Sequence, residues 1–171
     1  MGNRITNKHG NGRDFHVSNG LTSVFIETLC LAGADIANEN YQKDIMIWLA
    51  QRDWIILGAG FEGFDIAEIN WSKELFEQQK EFILKVIDLA LKKKNWELLD
   101  YTPHEMVFTT LSEFRDMVLS FQKENIALDE QIGVFDFDGD IDRYEKCIKH
   151  KVYKHFQGCV VCNNEPIEIA K

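Results

Sequence analysis

The sequence predicts a mainly α-helical protein, a helical bundle body followed by a small C-terminal element rich in cysteine and histidine. Three observations lead there. Apolar residues recur at helical spacing in four separate stretches. The hydrophobic share is 45%, with 12 Phe and 4 Trp among 171 residues, enough to build a core rather than a disordered chain. Three of the four cysteines and two of the five histidines fall between Cys147 and Cys162.

Residues 1–17 are rich in Gly and Asn and hold no apolar run, so they read as a flexible arm. The body is expected over residues 18–130. Its first helix spans Leu21 to Ala32, with Leu21, Val24, Phe25, Leu29 and Ala32 on one side and Gly33 placed to stop it. A second runs from Glu39 to Asp53, carrying Tyr41, Ile45, Trp48 and Leu49 in step. Ser72 is positioned to cap the third, and Trp71 before it can pair with Phe76 as a hydrophobic staple. Phe82, Ile83, Val86, Ile87 and Ala90 keep its period, and Lys92, Lys93 and Lys94 suit the negative end of its dipole. A fourth is expected from Thr110, whose spacing to Glu113 makes a capping box, with Leu111, Phe114, Met117, Val118 and Phe121 on one face. Residues 131–171 form an acidic turn and the cysteine-bearing tail.

Between the second and third helices lie Gly58, Gly60 and Gly63 at the spacing of a dinucleotide-binding loop. Such a loop needs a strand before it and a helix starting at the glycines, whose N-terminus meets the pyrophosphate. Here a helix leads into the glycines, and the next helix cap is Ser72. The stretch reads instead as a connection whose Phe64, Ile66, Ile69 and Trp71 drop into the core.

Val134 to Glu145 resembles two known loops. It is similar to the D-x-D-G loop of haloacid-dehalogenase-like phosphatases, but too little chain follows for that family's other motifs. It also resembles an EF-hand loop, with Asp136, Asp138, Gly139, Ile141 and Glu145 in register, yet Val134 stands where the first oxygen ligand belongs. An acidic turn is the expectation.

Cys147 and His150 form a C-x2-H pair, and Cys159 with Cys162 a C-x2-C pair eight residues on. Soft thiolates and an imidazole at this spacing can close on one tetrahedral Zn²⁺. Residues 147–162 resemble a zinc knuckle or ribbon. Four protein ligands leave no open coordination position, so the expected zinc is structural. Cys30, on the apolar side of a helix, reads as a core thiol. No residue set reads as catalytic, and no organic cofactor is expected.

The net charge is −9. Residues 140–171 hold six bases and five acids, leaving −10 on the remainder. No apolar run reaches bilayer length, and no export signal is visible, so a cytoplasmic protein without a membrane partner is expected. An acidic body favours basic partners. The expectation is a non-enzymatic binding protein, of the kind seen in toxin-immunity inhibitors, with Glu62, Asp65 and Glu68 as partner-facing acids. One alternative is nucleic-acid or adaptor binding through Arg143, Lys146, Lys149, Lys151 and Lys154 beside Tyr153 and Phe156. Another is a metal-dependent hydrolase using Asp65, Glu68 or the Asp136–Asp142 carboxylates.

Overall fold

The computed structural model describes residues 2–10, 14–53, 63–126 and 143–164. Among these the protein is mainly α, with strands β1 (Gly2–Thr6) and β2 (Asp14–Ser18) and helices α1 (Asn19–Ile36), α2 (Asn40–Ala50), α3 (Phe76–Leu91), α4 (Met106–Ser120) and α5 (Val160–Asn164). Gly58, Gly60, Glu62 and Val134–Asp142 lie outside the described residues.

The N-terminal residues expected as an arm form an antiparallel hairpin instead, with Ile5 opposite Phe15 and Asn3 opposite Val17. Ile5, Phe15 and Val17 point into the core, while Arg4 and His16 alternate outward. That two-residue period is what a half-buried strand requires. Ser18 ends β2 and also caps α1, accepting a bond from the Leu21 N–H.

α1 packs against α2, α3 and α4. It continues past Gly33, which does not stop it. A Cβ at that position would lie 2.0 Å from the Met46 sulfur, so Gly33 leaves room for the Met46 side chain of α2. α3 begins four residues after Ser72, whose hydroxyl organises the turn before it by accepting from the N–H groups of Glu74 and Leu75. The Trp71–Phe76 contact forms, with ring centroids 5.2 Å apart, and Trp71 also stacks on Phe121. α4 starts at Met106 rather than Thr110. His104 Nδ1 accepts from the Met106 N–H, and the Thr110 hydroxyl donates back to the Met106 carbonyl inside the helix.

The glycine-bearing connection meets β1. The Thr6 N–H donates to the Phe64 carbonyl at 3.0 Å, and Thr6 bridges Asp65 in parallel fashion. A Cβ on Gly63 would collide with the Arg4 carbonyl oxygen at 1.8 Å. Gly63 is therefore fixed by close backbone approach. No helix opens after it until the short 3-10 turn Ile66–Glu68 and then α3. Phe64, Ile66 and Ile69 are buried, and Trp71 is half-buried.

The C-terminal residues join the same core. Val152, Tyr153, Val160 and Val161 are buried with the helices. Lys146 Nζ donates to the Ala34 carbonyl at 2.7 Å, and the Tyr153 hydroxyl donates to that of Ala37 at 3.2 Å. These are orphan carbonyls at the end of α1, a helix with no basic residue in its own last turn. The element bearing the cysteines thus adds two donors, one of them a cation, to the end of α1.

Candidate metal centre

Two tight turns bring the four sequence-predicted ligands together. In the first, the Cys147 N–H donates to the Val152 carbonyl and the Lys151 N–H to that of Cys147. Lys151 takes a left-handed conformation (φ 59°) to reverse the chain behind His150. In the second, His155 and Gly158 exchange backbone bonds, and Gly158 sits at φ 103°. A Cβ there would meet nothing closer than 3.9 Å, so conformation rather than space demands glycine. Cys159 follows that turn, and α5 carries Cys162 round beside it.

One ligand atom from each of Cys147, His150, Cys159 and Cys162 lies within 4.8 Å of every other. His150 Nδ1 is 3.8 Å from the Cys147 sulfur, 3.5 Å from that of Cys159 and 3.3 Å from that of Cys162. The Cys147 and Cys162 sulfurs are 3.7 Å apart. All four cysteines are free thiols. Such a set is suited to holding a metal ion.

The electrostatics describe a nest for negative sulfur. The N–H groups of His150 and Cys162 each point at the first sulfur of their pair, both at 3.5 Å. Burial pushes the Cys147 thiol up, but the backbone N–H groups of His150 and Lys149 and the neighbouring thiols bring it below the usual range. Cys159 is pushed well up, by burial first and then by Cys147. Burial alone thus opposes a second thiolate, and a cation at the centre relieves that opposition. Cys147, His150 and Cys159 are buried, and Cys162 is exposed.

The other sequence candidates fall elsewhere. Cys30 is buried outside the cluster, its sulfur 4.0 Å from the Met46 carbonyl oxygen. His155 is buried apart from the four ligands, and burial lowers its imidazole to about 4. Asp65 is not a partner-facing acid. It is 5% exposed and accepts from the Thr6 hydroxyl, the Lys8 N–H and the Ala67 N–H, tying β1 to the 3-10 turn. Glu68, in that turn, is half-buried. Glu145, the last acid of the EF-hand-like stretch, pairs with Lys154.

A second polar cluster was not anticipated. Glu27 on α1 and Asp53 after α2 are both buried, 1% and 5% exposed. Asn164 Nδ2 donates to Glu27 Oε1 at 2.6 Å and to Asp53 Oδ2 at 2.8 Å, and the Tyr101 hydroxyl donates to Glu27 Oε2. Burial pushes the Glu27 carboxyl up to about 7, against the lowering effect of the Tyr101 and Asn164 bonds, with Asp53 and Asp100 adding to the rise. The sequence signal was present. Glu27 and Asp35 are the only charged residues in the eighteen of α1.

Among the described residues no helix is long and apolar enough to cross a membrane. Comparison with protein-family models, with curated proteins and with solved structures gives no match for this chain.

Proposed function

We propose that residues 147–162 form a zinc knuckle stapling a helical bundle, and that the protein acts by binding a basic protein partner rather than by catalysis. The four-donor cluster carries the zinc reading. Bonds of about 2.3 Å to sulfur and about 2.0–2.1 Å to nitrogen place tetrahedral corners about 3.8 Å apart for two sulfurs and about 3.6 Å for sulfur and nitrogen. The Cys147–Cys162 sulfur separation of 3.7 Å and the sulfur–nitrogen separations of 3.3–3.8 Å lie near these values, with all four donor atoms within 4.8 Å of one another. Thiolate and imidazole donors favour zinc over magnesium or calcium. With four protein ligands the ion has no position left for substrate, which makes its role structural.

The partner reading rests on charge. Outside residues 140–171 the chain carries −10, a field that draws in basic proteins and speeds their association. The nucleic-acid alternative keeps one supporting observation: Ile148 is 85% exposed at the tip of the first turn, flanked in sequence by Lys146, Lys149 and Lys151. Against it, Arg143 pairs with Asp44, Lys146 caps α1 and Lys154 pairs with Glu145. At least three of its five cations are thus engaged within the chain. The hydrolase alternative loses Asp65 to the bonds that hold β1.

Purified protein is expected to carry one zinc per chain by elemental analysis. A protein partner retained at low salt and released as salt rises supports the binding reading. Salt-sensitive RNA binding abolished by Lys149→Glu with Lys151→Glu would move the assignment to the nucleic-acid alternative. Absence of zinc would defeat the staple.

A further inference from the structure

We infer that α5 is a two-ended strut: metal ligands hold one end and Asn164 locks the other onto Glu27 and Asp53, so that filling the Cys/His cluster and clamping α1 to the end of α2 are one event. This rests on the zinc reading above. Its own support is the placement of three side chains along one short element. Cys159 precedes α5, Cys162 lies within it, and Asn164 is its last residue. Five residues span little more than one helical turn, so the strut is short and stiff.

At the Asn164 end, one amide nitrogen lies within 2.8 Å of oxygens from two carboxylates on two different segments. Each N–H of that amide serves a different acid. A primary amide has two donors in a fixed planar arrangement, so both are satisfied by these acids only when Glu27 and Asp53 are both in place. Buried carboxylates are costly without donors, and Asn164 brings its pair only when α5 is docked. Val160 and Val161 on the same helix are buried in the body, which fixes the strut between its ends. By reciprocity, whatever orders α5 at the cysteines favours the clamp, and whatever seats Asn164 favours metal uptake.

The test uses the full chain and zinc alone as the probe. Zinc affinity is measured by competition with a chromophoric chelator for wild type and Asn164→Ala. Alanine is the better helix former, so a purely local effect on α5 would leave binding equal or tighter. The expected result is unchanged stoichiometry with affinity weakened about tenfold or more. A second measurement needs no variant: amide hydrogen exchange over residues 25–31 of α1 is expected to be slower with zinc than after chelation. Equal zinc affinity in the variant, with no zinc-dependent protection of α1, overturns the strut while leaving the zinc staple standing. A wild-type chain that takes up no zinc overturns both.

Discussion

The two polar clusters served by α5 keep opposite charge economies. On one side three sulfurs and an imidazole crowd together, and the arrangement becomes comfortable when protons leave and a cation enters. On the other, Glu27 and Asp53 share an amide, and burial favours a retained proton on Glu27. The first is local, drawn from residues 147–162 with only Cys162 exposed, whereas the second joins segments more than a hundred residues apart. They differ in what would compensate their burial: a bound cation at the Cys/His cluster, neutral donors and a proton at the other. Rising pH therefore strengthens the first and loads the second. A buried polar group is thus not a single kind of stabiliser, because its sign depends on the partner that neutralises it.

The largest expected effect breaks the metal side. Cys159→Ser should abolish stoichiometric zinc by elemental analysis. Losing the staple should cost about 3 kcal/mol, or roughly 6–12 °C in Tm for a chain this size. Cys30→Ser, outside the cluster, should leave zinc content at one equivalent.

The next effect isolates the proton side. Glu27 has its folded carboxyl raised from 4.5 to about 7, so the folded protein holds a proton that the unfolded chain has lost. Its contribution is fully present below about 4.5 and is lost as pH rises through 7. Gln at this position can donate to Tyr101 and accept from Asn164, mimicking the protonated acid. In denaturant melts with zinc in excess, Glu27→Gln should match wild type near pH 5. It should become more stable by about 2–3 kcal/mol above pH 7.5. A constant difference across that range would show that Glu27 does not hold the proton.

Smaller effects sharpen the contrast. Gly158→Ala forces a side chain into φ 103° and should cost about 1–2 kcal/mol, read as zinc affinity weakened roughly tenfold in chelator competition. The smallest is a control. Arg115 and Asp88 pair on the surface at 2.7 Å, so Asp88→Asn should change stability by under about 0.5 kcal/mol and leave zinc affinity unchanged.

What the sequence disclosed tracks how local each cause is. The apolar stripes of α1 to α4 lie within single elements, and the C-x2-H and C-x2-C spacings are fixed by single turns, so the helices and the Cys/His cluster could be read directly. Helix boundaries were less visible. Thr110 and Glu113 imitate a capping box inside α4, while the true start depends on the His104 ring. The hairpin was obscured by Gly and Asn, although the alternation through Phe15, His16 and Val17 carried a strand signal. Asp65 and Glu27 illustrate the deeper limit. Whether an acid faces solvent or is buried depends on β1, Tyr101 and Asn164, the last 137 residues from Glu27.

The capping of α1 by Lys146 and Tyr153 bears on the timing of biogenesis. The two bonds join residues 112 and 116 positions apart. At a synthesis rate of about 5–20 residues per second, the end of α1 is made on the order of ten seconds before its caps. During that interval the carbonyls of Ala34 and Ala37 can be satisfied only by water or by a passing donor. The helix at the centre of the protein is therefore the one whose terminus is finished late. A ribosome pausing between residues 37 and 146 would lengthen the exposure of that unfinished end.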